Sequence, residues 1–172
     1  MVDRGLERAY CGSKWSKREQ EGANQGASWE LWPVAGFVGR YEHSLDTKGR
    51  VILPAKFRAS FERGGYLTEH REGCLALWTP GEFERQMGAM QERAAAGRTD
   101  RNRARLWAAN SHEVEVDRQG RMAIPARLRD FAQLEGDVLV NGAIDRVELW
   151  SPAVWERSVQ PEEQWFLQDE DD

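Results

Sequence analysis

The stretch DTKGRVILPAKFR, residues 46–58, returns seventy-one positions later as DRQGRMAIPARLR, residues 117–129. Six of the thirteen aligned positions are identical: Asp46/Asp117, Gly49/Gly120, Arg50/Arg121, Pro54/Pro125, Ala55/Ala126 and Arg58/Arg129. Val51/Met122, Leu53/Ile124, Lys56/Arg127 and Phe57/Leu128 keep their chemical character. Further on, Leu77-Trp78-Thr79-Pro80 returns as Leu149-Trp150-Ser151-Pro152, now offset by 72. Two nearly equal offsets over such a span indicate duplication of a whole module rather than a chance motif.

Local punctuation predicts what each copy builds. YEHSLD (41–46) alternates, turns at Lys48-Gly49 and resumes as a strand from Arg50 to Leu53, a hairpin-like element. Pro54 suits the first turn of a helix, where its missing N–H costs nothing. AKFRASFER follows with Phe57 and Phe61 on one face, and Gly64-Gly65 stops it. YLTEH and CLALW read as strands, and Thr79 caps a helix over 80–96. The second half repeats the order: strand 112–117, turn, strand 121–124, a short helix from Pro125 to near Leu134, then strands DVLVNG and RVELW. Residues 97–111 link the halves, extending the preceding helix or forming a second one. The expected organisation is a flexible extension 1–36, a first module 37–96, a linker 97–111, a second module 112–157 and an acidic tail 158–172. The expected fold class is mostly β with short helices (α+β), with pseudo-twofold halves.

Charge is distributed along the same divisions. The 172-residue chain has a formal net charge of −5. Residues 1–36 are neutral, residues 37–152 carry +1, and residues 153–172 carry −6. Each repeated stretch holds four basic residues and one acid. Exposed charges beyond about 10 Å are screened at 0.1 M salt, so these local clusters count for more than the total. In each copy the carboxylate (Asp46, Asp117) can hold the following arginine (Arg50, Arg121) in one orientation. An oriented guanidinium is a planar fork that matches O6 and N7 of guanine in the major groove. Lys48, Lys56 and Arg58, with Arg118, Arg127 and Arg129, are candidate phosphate contacts. Read alone, D-x-x-G-R is equally an ordinary turn with a surface ion pair. Duplication does not decide between the two.

Other chemistries find little support. No run of about 18 apolar residues exists, and the N-terminus lacks an apolar secretory core. Cys11 and Cys74 form no CxxC pair, which argues against a disulfide scaffold or zinc site and fits a reducing compartment. His43, His70 and His112 share no metal-ligand spacing, and Ser44 and Ser111 lie near histidines only in sequence. G-x-S-x-G, Walker A and G-x-G-x-x-G motifs are absent. No catalytic residue, metal or cofactor is expected. Trp78 and Trp150 read as packing residues where strand meets helix. Trp15, Trp29 and Trp32 are unusual for a flexible extension and could dock elsewhere.

From Phe37 to Trp155 the chain resembles the MraZ family, in FVGRYEHSLDTKGRVILPAKFR, DRQGRMAIPARLR and GAIDRVELWSPAVW. The doubled D-x-x-x-R motif is specific to that family and stands intact as Asp46…Arg50 and Asp117…Arg121. The resemblance implies two AbrB-like swapped-hairpin modules forming a small intertwined β-barrel. It implies a cytoplasmic, nucleoid-associated transcription factor that assembles into homo-oligomeric rings. It further implies binding to short G-rich direct repeats in double-stranded DNA upstream of the division and cell-wall gene cluster. DNA contact then falls on Arg50 and Arg121, with Asp46 and Asp117 orienting them. Residues 1–36 are additional to the family pattern. The competing reading is a protein-interaction scaffold on the same barrel, without specific DNA binding.

Overall fold

The structure, a computed structural model, describes residues 36–162. The readings made above for residues 1–35, including their tryptophans, and for the acidic stretch 163–172 lie outside the described residues. The chain order is β1 (Phe37–Ser44), β2 (Arg50–Ile52), α1 (Ala55–Arg58), a 3₁₀ turn (Ala59–Phe61), β3 (Gly65–Glu69) and β4 (Leu75–Trp78). Helices α2 (Pro80–Ala94) and α3 (Arg98–Ala109) follow. Then come β5 (His112–Val114), β6 (Arg121–Ala123), α4 (Ala126–Phe131), β7 (Asp137–Ile144), β8 (Val147–Trp150) and α5 (Pro152–Ser158).

The strands form a six-stranded antiparallel sheet in the order β1-β7-β8-β4-β3-β5, and a separate two-stranded ladder, β2-β6. At the centre, β4 meets β8 with Leu75 opposite Leu149, Ala76 opposite Glu148 and Leu77 opposite Val147. Ala76 and Glu148 are also the repeat equivalents of each other, so a pseudo-twofold axis runs between them. Both central strands are buried along their whole length. Their odd-numbered residues face the main core, and their even-numbered residues face the helices, as a period of two requires.

The halves do not fold side by side. β1 of the first half pairs with β7 of the second, and β5 of the second pairs with β3 of the first. The expected hairpin is therefore corrected in part: its turn closes, with Asp46 N–H on Arg50 O at 2.9 Å and a bridge between Val116 and Met122 in the second copy, but the strands that flank it pair mainly with the other half. Burial explains the exchange. Val51 and Met122, facing each other across β2–β6, are both fully buried in a core shared with Leu53, Ile124, Phe57 and Leu128. Three-residue strands lack the apolar area to stand as isolated hairpins, whereas a ladder between copies closes one common core.

Helix content also exceeds the mostly-β expectation. α2 has 15 residues and α3 has 12, so the fold is mixed. Thr79 does cap α2, its hydroxyl accepting from the Glu82 amide at 3.3 Å. The expected linker is the second helix, α3. It is anchored by a stack of rings: Tyr66 on Phe83 at 4.1 Å, and Phe83 on Trp107 at 5.0 Å. Pro54 and Pro125 sit one position earlier than expected, capping α1 and α4 in extended geometry. The preceding Leu53 and Ile124 are still bonded across to the other half, so the backbone stays extended up to each proline. Trp78 and Trp150 are buried as expected, and each indole N–H is satisfied, by Thr68 at 2.9 Å and Glu148 at 3.0 Å.

Candidate nucleic-acid interface

Each D-x-x-x-R turn is closed by one carboxylate. Asp46 Oδ1 accepts from the amides of Lys48 and Arg50, both at 2.9 Å. Asp46 Oδ2 accepts from Arg50 Nε and Nη2, both at 2.7 Å. Asp117 repeats the pattern with the amides of Gln119 and Arg121 at 2.9 Å, and with Arg121 Nε at 2.7 Å. The backbone closes around it: Gly49 donates to Asp46 O at 2.9 Å, and Gly120 to Asp117 O at 2.8 Å. Both glycines need the left-handed region, at φ 69° and 81°.

The two turns then hold each other. Leu53 N–H donates to Gly120 O at 2.8 Å, and Ile124 N–H donates to Gly49 O at 3.0 Å. Between these bonds runs the ladder, with Arg50 opposite Ala123 and Ile52 opposite Arg121. Its inner face is Val51 and Met122. Its outer face carries Arg50, Ile52, Arg121 and Ala123 together. Arg50 and Arg121 are diagonal neighbours on that face, a placement that sets them ~7–8 Å apart. Their side chains are 28% and 32% exposed, enough to reach a partner while remaining tethered. Exposed ion pairs of this kind add little stability, so their main effect is orientation.

The electrostatics follow from the geometry. The Arg50 side chain, followed by the Arg50 and Lys48 amides, brings the Asp46 carboxyl down to about 2. The Arg121 amide and side chain lower Asp117 in the same way. Both carboxylates are ionised through the neutral range, and both arginines keep their partners.

Comparison with known proteins addresses the origin of this arrangement. Residues 37–105 and 108–172 each match the model of the family described as MraZ protein. Curated relatives named "Transcriptional regulator MraZ" include that of Kocuria rhizophila, 38% identical over 136 residues, spanning 79% of this chain and 95% of the relative. The Salinispora arenicola relative is 38% identical, over 76% of this chain and 92% of its own length. A Thermoanaerobacter relative is 40% identical, over 69% and 83%. The chain belongs to the MraZ family. Each matched segment contains one complete D-x-x-x-R turn, so the MraZ pattern and the two symmetry-related turns coincide.

The other sequence-picked basic residues divide into two groups in this MraZ fold. Lys48 and Arg118 are exposed on the turns themselves, beside the arginine face. Arg58 and Arg129 are instead packed against the turn glycines of the opposite half. A Cβ on Gly120 would lie 2.1 Å from Arg58 Nε, and one on Gly49 would lie 2.7 Å from Arg129 Cζ. Arg58 Nε also donates to Leu53 O at 2.9 Å. Lys56 lies over the Tyr41 ring at 4.9 Å. Arg127 donates to Asn110 at 2.6 Å and lies 3.4 Å from Glu69. These four are tied to other elements of the fold. Ile52, 42% exposed in the middle of the arginine face, was not singled out from the sequence. An apolar residue at an outward ladder position is its only signal.

Proposed function

We propose that this chain is a sequence-specific DNA-binding transcriptional regulator that reads base edges with Arg50 and Arg121. The observation that carries the reading is the outer face of the β2–β6 ladder. On it, two arginines stand at diagonal ladder positions whose backbones lie roughly 7–8 Å apart, and each guanidinium is fixed by a carboxylate. A two-stranded ribbon fits the major groove, where an oriented arginine meets guanine O6 and N7. The relatives, named as transcriptional regulators, support the regulatory role. Lys48 and Arg118 flank the face as phosphate contacts, and Ile52 and Ala123 offer apolar contact to a base.

The exchanged pairings support reading residues 37–96 and 112–157 as AbrB-like modules of one swapped-hairpin barrel. Each ladder spans few base pairs, so homo-oligomerisation into a ring, with sites repeated along the DNA, would supply affinity by linkage. On this reading the targets are short G-rich direct repeats upstream of the division and cell-wall gene cluster, and the protein is cytoplasmic and nucleoid-associated.

The test is fluorescence anisotropy with the duplex upstream of the protein's own gene, beside a scrambled duplex, at two salt concentrations. Preferential binding that weakens steeply with salt is expected. Equal or absent binding to both duplexes would favour the protein scaffold.

A further inference from the structure

We propose that His70, Cys74 and Glu148 form a binding site for one divalent transition-metal ion of the zinc type per chain. The site lies on the helix-facing side of the sheet, away from the arginine ladder. The His70 amide donates to Cys74 O at 2.9 Å, extending the β3–β4 ladder by one pair beyond Glu69 and Leu75. Paired residues of a ladder share a face, so the imidazole and the thiol emerge together. Cys74 precedes Ala76 by two, and Ala76 pairs with Glu148 on β8. The same period of two brings that carboxylate to the same face.

The ligand atoms of the three residues all lie within 4.8 Å of one another. Cys74 is fully buried, and Glu148 is 5% exposed. Among the described residues, His70 Nδ1 is buried without a hydrogen-bond partner, and Glu72 Oε2, at 3.6 Å, is too far to serve. A buried ring nitrogen left unpaired costs free energy that a ligated cation would recover. Thiolate, imidazole and carboxylate together suit zinc, and three protein ligands leave a fourth position for solvent. Ligands around a tetrahedral ion stand roughly 3.5 Å apart, so the group must draw in by about 1 Å. His70, whose side chain is 23% exposed at the hairpin end, has the freedom to do so.

Two neighbours shape the chemistry. Arg146 holds Glu148 Oε1 at 2.7 Å, and the Trp150 indole donates to Oε2 at 3.0 Å, so an ion would share this carboxylate with them. His70 and Cys74 would carry most of the affinity. Burial pushes the Cys74 thiol well up, with Glu148 and Glu72 adding to the effect. On binding, the S–H bond breaks, a sulfur–metal bond forms and the proton leaves to solvent. The pseudo-twofold axis places Arg146 where Cys74 stands and Ala76 where Glu148 stands, so the other half cannot build the site.

The experiment is calorimetric titration of Zn²⁺ into the full chain after EDTA treatment and dialysis, with Co²⁺ absorption as the signature of thiolate ligation. The expected result is one ion per chain at sub-micromolar affinity, with a sulfur-to-cobalt charge-transfer band. His70→Ala and Cys74→Ala, each with a native thermal transition, should weaken binding by at least about tenfold. Cys11→Ser should leave it unchanged. Absence of binding, absence of the charge-transfer band, or full affinity in both variants would overturn the proposal. No DNA enters this test, so its outcome is independent of the regulatory reading.

Discussion

Arg58 of the first half lies against Gly120 of the second, so closely that a Cβ on that glycine would fall 2.1 Å from Arg58 Nε. Arg129 lies against Gly49 in the symmetry-related place. Each half thus closes over the turn that orients the other half's arginine. Gly120→Ala must both enter the left-handed region and displace Arg58. The first effect alone costs roughly 1–2 kcal/mol. Urea unfolding should show a loss of at least that size for Gly120→Ala and Gly49→Ala. For Gly88→Ala, a helical site with open space around its Cβ, it should show none. Equal midpoints for all three would contradict the packing described.

The basic residues should separate by experiment. Lys48→Ala and Arg118→Ala each remove one proposed phosphate contact, so the slope of log affinity against log salt should fall by about 1 with stability unchanged. Arg58→Ala removes a donor to Leu53 O and a packing surface, so its loss should appear first in the urea midpoint. Salt-dependent anisotropy paired with urea unfolding distinguishes the two groups. Identical behaviour of Arg58 and Lys48 would place Arg58 on the DNA face instead.

Acid should loosen the arginines from their tethers. Asp46 and Asp117 have depressed values in the folded chain, so their contribution is present above the ordinary carboxylate range. It is lost as pH falls through the folded value, which is about 2 for Asp46. Carboxyl NMR should give an Asp46 midpoint near 2 and an Asp117 midpoint below 3.8, the ordinary aspartate value. Midpoints at 3.8 or above would mean that the ion pairs do not persist in solution.

Exchange of strands makes each half dependent on the other. Residues 36–96 alone would lack the partners of β1 and β2, leaving backbone donors and Val51 exposed. Sedimentation and NMR on that fragment should find it unfolded, or folded only as a dimer in which a second copy supplies the missing strands. A folded monomer would contradict the pairing. Met122→Ala in the full chain should cost about 2–5 kcal/mol, because the side chain is fully buried where the halves meet.

Much of this was legible in the residues. The repeat gave the pseudo-symmetry, and Thr79-Pro80 marked the start of α2. The spacing Asp-x-x-x-Arg anticipated carboxylates that hold arginines. What failed was partnering. A turn signal such as Lys48-Gly49 specifies that the chain reverses, whereas which strand lies alongside is decided by where Val51 and Met122 are buried. The basic residues after each proline looked alike in sequence, yet cross-half packing ties Arg58 and Arg129 to glycines 62 and 80 residues away. The His70–Cys74–Glu148 cluster was illegible for the same reason. Two ligands share one hairpin, and the third arrives from β8 through a pairing that linear spacing does not encode.

On the proposed reading, Arg50 and Arg121 read DNA from one face. Its most direct test is the Arg50→Ala/Arg121→Ala double variant in anisotropy, against the upstream duplex and its scrambled control. A bidentate base contact is worth roughly 1–3 kcal/mol, so each arginine should contribute a preference of about 5-fold to 160-fold. The double variant should stay folded, keep weak salt-dependent binding and lose the preference between duplexes. An undiminished preference in a folded double variant would contradict it.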